Sequence, residues 1–139
     1  MICKITGKKI KSFMSFGKMP IANGFLTKKN FKREFYFKME VGFSQNISLF
    51  QLNDHPAPKQ MFNKEYPFYT SSSKYMVSHF KKYSKWIKKN YFKNIKKVIE
   101  IGSNDGSFLK NFKSKKVNIL GIEPSKNVAK HSKSQGIKN

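Results

Sequence analysis

The residues best suited to chemistry lie in one stretch, VIEIGSNDGSFLKNF, Val98 to Phe112. Glu100 and Asp105 sit there among glycines, between an apolar run and an amphipathic one, in a chain otherwise crowded with lysine. A third acid, Glu123, follows 21 residues after Gly102, so three of the seven carboxylates of this 139-residue chain fall within a window of 24. Where a buried strand ends in small residues, a ligand can approach the backbone closely, and Gly102 and Gly106, with Ser103 and Asn104 between them, would give that access. The loop Gly-Ser-Asn-Asp-Gly is not the dinucleotide fingerprint Gly-x-Gly-x-x-Gly, nor a P-loop, since no Gly-Lys-Ser/Thr follows. An acid at the end of the next strand commonly takes ribose hydroxyls, and Glu123, with Pro124 after it, stands in that position. Glu100 and Asp105 make the pocket anionic, which disfavours a pyrophosphate and suits a ligand carrying a sulfonium and an ammonium. The cofactor that fits is S-adenosylmethionine, held by Glu100, Gly102, Ser103, Asn104, Asp105, Gly106, Glu123 and Pro124. The structural alternative is a plain strand-loop-helix turn with Asp105 as its cap.

These residues need elements to position them. KKVIEIG reads as a buried strand, DGSFLKNFKS as a helix, VNILGIEPS as a second strand and SKNVAKHSKSQG as a second helix, with Ser125 as N-cap and Gly136 as stop. That β-α-β-α order opens a Rossmann-like, doubly wound α/β sheet. Two strands and two helices cannot cover both faces of such a sheet, so the domain is expected to be incomplete. Upstream, Met76, Phe80, Tyr83, Ile87 and Tyr91 recur at helical spacing among lysines and predict a long amphipathic helix whose stripe is a packing face. Before it, MFNKEYPFYTSSS reads as an ordered loop, and Tyr66, Tyr69, Ser71 and Ser73 could orient a polar substrate or pack against the helix. Residues 1–60 read as short strands and turns, with Phe35, Phe37, Met39 and Val41 on one strand face and NISLFQL as its neighbour. The expected fold is thus α+β in three parts. A small β-rich domain spans 1–60, the loop and long helix 61–93, and a truncated Rossmann-like cofactor domain 94–139.

Composition bounds the partners. The formal charge of +22 comes from 29 Lys+Arg against 7 Asp+Glu, and Arg33 is the only arginine. Arginine is the usual reader of phosphate and guanine, so nucleic acid is disfavoured, although a basic nucleic-acid-binding module with exposed aromatics stays open as the alternative. Lysine accompanied by Phe, Asn and Ile is also what an A/T-rich coding sequence produces. Cys3 is the only cysteine, which excludes an intrachain disulfide and a Cys-rich zinc site. The N-terminus lacks a signal-type apolar core and no run reaches membrane-spanning length, so a cytoplasmic protein with no membrane partner is expected. His55, His79 and His131 have no carboxylate partner by spacing, and no catalytic residue is assigned.

The order of segments resembles the sugar C-methyltransferases, which methylate a carbon of a nucleotide-linked deoxysugar. FGKMPIANGFL (Phe16 to Leu26), SLFQL (Ser48 to Leu52), MFNKEYPFYTSSSKYMVSHF, IEIGSNDGSFL and LGIEPSKNVA resemble successive stretches of that family. The resemblance implies a zinc-binding N-terminal domain, then the adenosylmethionine domain, then a C-terminal domain with the catalytic base. Two departures stand out. The family's paired cysteines would fall near Cys3 and Thr6 and near Ser44 and Ile47, so one of four ligands remains and no zinc is expected; Phe35, Phe37, Phe43 and Phe50 would have to replace its contribution by packing. The base lies well downstream in the family, so this chain is expected to be an N-terminal fragment, inactive alone, whose partners are a nucleotide sugar and the missing C-terminal portion.

Overall fold

In the computed structural model, which describes residues 1–91 and 94–139, the chain divides into two units, Met1–Met61 and Phe62–Asn139. The alternating apolar run of the first unit forms β2 (Tyr36–Ser44), with Phe37 and Met39 half-buried and Val41 buried. β1 (Ser12–Pro20) and β3 (Leu49–Leu52) flank it in an antiparallel sheet of order β1-β2-β3. Gly17, which reads in the sequence as turn punctuation, sits at φ 73° where the β1 register slips between Ser15 and Lys18. It is a bulge inside a strand, a role that a positive φ reserves largely for glycine. Pro20 ends β1, and Gly24 N-H closes the following turn on Ile21 O at 3.0 Å. A short helix, α1 (Pro58–Met61), completes the unit.

The core of this unit is small and differs from expectation. Phe35, Phe43 and Phe50 are 43%, 41% and 56% exposed, so they do not form the packing that would replace a metal. Phe43 faces Phe50 across the ladder, whereas the alternate positions Gly42, Ser44 and Gln51 line the other face. It is that face which meets the N-terminal segment: a Cβ on Gly42 would lie 2.6 Å from Met1 Sδ. Cys3, Ser44 and Gln51 are buried there, whereas on the opposite face Val41 is buried but Phe43 and Phe50 are uncovered.

In the second unit Ser73 caps α2 (Lys74–Asn90), its Oγ accepting Met76 N-H at 3.3 Å. The helix packs through a seam shifted from the expected stripe. Ser84 is buried, with Val77, Phe80 and Ile87 half-buried, while Met76 and Tyr83 are exposed. A small residue at the centre lets the helix approach closely, and Phe80 and Tyr83 meet Phe108 with ring centroids 5.3 and 5.7 Å apart. Tyr91 is the C-cap, beyond the stripe.

β4 (Lys97–Ile101) and β5 (Asn118–Ile122) pair in parallel from Lys97 opposite Asn118 to Ile101 opposite Ile122. The helix expected over DGSFLKNFKS is absent; a single 3-10 turn, Leu109–Phe112, takes its place. Asn111 Nδ2 donates to Ser107 O and Phe108 O at 3.0 and 2.9 Å, a local side-chain alternative to helical backbone pairing. α3 (Lys126–Ser134) follows β5 and stops at Gly136, φ 73°. Ser125 holds the N-cap position but makes no side-chain cap bond. Leu109, Phe112, Val128 and Ile137 form the buried core between the strands and α3, while Ile99, Ile101 and Ile122 remain exposed. The architecture is mixed α and β, an antiparallel sheet in one unit and a parallel pair with two helices in the other. No helix among the described residues is long and apolar enough to cross a membrane.

Replacing the α2 cap tests how much local stability that helix draws from it. Ser73→Ala should lower the stability of the helical unit by about 1 kcal/mol, and Ser73→Asp should retain it, as read from helical dichroism during urea unfolding.

Candidate functional site

Because β4 and β5 run in parallel, their carboxyl ends lie at the same edge, and the loop from Gly102 to Ser107 leaves β4 beside the residue that follows β5. Gly102 N-H and Ser103 N-H both donate to Ile122 O, at 2.8 and 3.2 Å. Asn104 N-H donates to Glu123 Oε2 at 2.9 Å, Asp105 N-H to Asn104 Oδ1 at 2.9 Å, Gly106 N-H to Ser103 O at 3.0 Å and Ser107 N-H to Asp105 Oδ1 at 3.1 Å. Every N-H from Gly102 to Ser107 is therefore bonded within the protein. A phosphate cradle depends on such donors being free, so this bend is not built for an anion.

The three acids divide the work. Asp105 is buried; burial opposes its charge, but bonds from Ser107 and Ser71 outweigh that and hold the carboxyl below its usual range. Glu123 accepts from Asn104 N-H on one oxygen and from Ser125 N-H, at 2.8 Å, on the other. Being half-buried, with a second lone pair on each oxygen, it can still accept from a ligand hydroxyl. Glu100 is different. Its Oε2 is shut from solvent with no hydrogen-bond partner, and burial, reinforced by the charge of Asp105, pushes its pKa up to about 7.

The Tyr/Ser loop lies directly on this bend. Thr70 N-H donates to Asn104 Oδ1 at 2.9 Å, Asn104 Nδ2 to Phe68 O at 3.0 Å and Ser71 N-H to Asp105 Oδ2 at 2.7 Å. Tyr66 and Tyr69 are tied to α3, since Asn127 Nδ2 donates to Tyr66 O at 2.7 Å and to Tyr69 Oη at 3.1 Å. The Tyr69 ring also stands edge-on to His131, centroids 5.5 Å apart. Of the four hydroxyl residues singled out in the sequence, Ser71 contributes its backbone and Ser73 caps α2. Asn127 went unnoticed in the sequence, yet its Oδ1 is buried and unpartnered beside Tyr69. Its place in the first turn after a strand-end acid is the signal that could have found it.

The two glycines are not equivalent. A Cβ on Gly102, φ 72°, would meet nothing within 4 Å, so the backbone there faces open space. On Gly106 it would lie 2.8 Å from Ile137 Cγ1 and 2.9 Å from Ser132 Oγ. Gly106 therefore does not give the ligand access expected of it; it lets the loop pack against the end of α3. Ser103 is buried and Pro124 exposed.

In the first unit, Cys3 is buried and its sulfur accepts Thr6 N-H at 3.5 Å. Bonds from Thr6, with a further one from Ser44, lower the thiol pKa to about 7. Gln51 clasps the backbone on both sides of Cys3, Nε2 donating to Ile2 O and Oε1 accepting Lys4 N-H, each at 2.9 Å. Residues 3–62 match a methyltransferase-associated family model described as "Putative zinc binding domain". No curated protein matches the chain. The residues present do not fit the metal in that description. Cys3 is the chain's one thiol, Thr6 and Ser44 beside it offer hydroxyls, and no group of three or more His, Cys, Asp or Glu among the described residues could hold an ion.

Two outcomes follow from these contacts. Gln51→Ala should destabilise the first unit by about 2 kcal/mol by stranding two backbone groups, while a chelator leaves the melting of the unmutated chain unchanged. A chelator-induced drop in Tm would instead reveal a bound metal. For Glu100, the rise from 4.5 to about 7 means that the folded state binds the extra proton between those values. Stability should accordingly fall as pH climbs through that window, and Glu100→Gln should escape the loss. Thermal unfolding should find the two proteins alike near pH 4 and the variant more stable above pH 8.

Proposed function

We propose that the chain binds S-adenosylmethionine at the β4–β5 edge and belongs to a C-methyltransferase acting on a nucleotide-linked deoxysugar. The observation that carries this reading is the chemistry of the bend: its N-H groups are consumed, its backbone is bare at Gly102, and Glu100 keeps an unpaired carboxylate oxygen. Such a place rejects phosphate and attracts a cation. The match of residues 3–62 to a methyltransferase-associated family supports the same class. When bound, the cofactor supplies an electrophilic methyl group. Glu123 would accept the ribose hydroxyls, Glu100 would balance the positive charge, and Ser103, Asn104 and Asp105 would hold the bend rigid, with Pro124 at its rim. Tyr66 and Tyr69, anchored by Asn127, would form part of the substrate entrance together with the segment at Ser71 and Ser73.

Methylation at carbon requires removal of a proton beside a keto group and alignment of the two reactants. Alignment is the share of that work we assign to this chain; the base is assigned to none of its residues. The partners in this reading are the nucleotide sugar and a C-terminal portion carrying the base, working in the cytoplasm. A specific feature favours a second reading, a nucleic-acid module: His79, Tyr83 and Trp86 stack along α2 at interplanar angles of 14° and 19°, beside Lys82.

Calorimetric titration separates the two. Adenosylmethionine should bind saturably at both low and high salt, more tightly as pH rises through about 7 and Glu100 ionises, and Glu123→Ala should weaken it roughly tenfold or more. Absence of cofactor binding, with oligothymidylate binding that collapses in salt, would favour the module instead.

A further inference from the structure

The helix α2 buries one face at Ser84 and turns the other to water. At about 100° per residue, Tyr75, Lys82 and Trp86 lie within about 20° of the direction opposite Ser84, with His79 and Lys89 about 40° to either side. Tyr75 is 89% exposed and Trp86 48%. The helix holds six lysines and no carboxylate, and the ion pair found among the described residues joins Lys38 and Glu40, so no acid there neutralises α2. Lys88 is occupied by Asn111 O and the Phe112 ring, whereas Lys82, Lys85 and Lys89 stand exposed.

The outward rings are arranged against one another. Tyr83 stacks with His79, Trp86 and Phe108 at interplanar angles of 14°, 19° and 23°, and Tyr91 meets Trp86 edge-on, centroids 5.0 Å apart. A base of single-stranded nucleic acid stacks on a free ring face, and the stacked faces here are turned to each other. What remains for a partner is ring rims, with phenol and indole groups set among ammonium groups. That combination suits the headgroup level of a bilayer, where Trp and Tyr rings keep their polar tips wet and lysines meet lipid charge. Lysine serves there without arginine, because a headgroup layer calls for charge rather than a bidentate fork. Lying on a surface needs no membrane-crossing length, and the 17 residues of α2 provide about 25 Å of contact. We propose that α2 seats this protein on the surface of an anionic membrane, with Tyr75, His79 and Trp86 at headgroup level and Lys82, Lys85 and Lys89 against the lipid charges. The bend after β4 takes no part, so a negative result would leave the cofactor reading untouched.

Trp86 is the chain's one tryptophan, so its fluorescence reports on this face directly. Vesicles of mixed phosphatidylserine and phosphatidylcholine, added to the full chain, should shift its emission to the blue, and added salt should reverse the shift. Phosphatidylcholine alone should leave it unchanged. Lys82→Glu with Lys89→Glu should weaken co-sedimentation with the anionic vesicles by about tenfold or more, with helical dichroism kept because both side chains are exposed. Lys115→Glu with Lys116→Glu, an equal change of charge elsewhere in the unit, should weaken it by about threefold at most. Equal losses from the two pairs, equal binding to phosphatidylcholine alone, tighter binding per phosphate to oligothymidylate, or no shift with any vesicle would overturn the proposal.

Discussion

The second unit turns on the buried carboxylate of Asp105. One oxygen accepts Ser107 N-H and fixes the bend after β4; the other accepts Ser71 N-H and fastens the Tyr/Ser segment to that bend. A buried charge is tolerated only when hydrogen bonds replace its water, and here the two backbone donors do so from segments 34 and 2 residues away. The Asn104 side chain adds two more ties between the same stretches, accepting from Thr70 N-H and donating to Phe68 O, but Asp105 is the charged centre of the junction.

The same arrangement explains why Glu100 is unusual. Asp105 cannot give up its charge without releasing both loops, so its field falls on the neighbouring acid, which burial already disfavours as an anion. Glu100 is left as the adjustable member of the pair. A cationic ligand would relieve both penalties at once, by giving the buried oxygen a partner and by offsetting the repulsion from Asp105. In a protein of net charge +22, a local anionic site of this kind does not arise from the general composition.

How much of this was legible depended on the range of the interaction concerned. The strands at Lys97–Ile101 and Asn118–Ile122, the long helix and the sheet around Val41 announce themselves by local periodicity. The clustering of Glu100, Asp105 and Glu123 follows from strand ends and needs no long-range knowledge. The failures are instructive in the same terms. Where a helix was expected after Gly106, the Asn111 side chain bonds back to two nearby carbonyls, a local contact that apolar spacing does not register. The roles of Gly102 and Gly106 were separated only by Ile137 and Ser132, about thirty residues downstream of the second glycine. Asn127 is significant only because Tyr66, 61 residues earlier in the chain, folds back upon it.

The first unit is closed around its N-terminal segment by a side-chain clasp. Without a metal site among its described residues, holding two distant turns together takes contacts of long reach along the chain. Exposed phenylalanines cannot supply that, since rings left in water contribute little burial. Gln51 can, because its amide spans the turn at Cys3 from 47 and 49 residues away and satisfies a donor and an acceptor that would otherwise be buried unpaired. Thr6 and Ser44, bonding to the sulfur of Cys3, complete the polar junction. Phe13, Phe43 and Phe50 take no part in that junction, and their rings stay exposed.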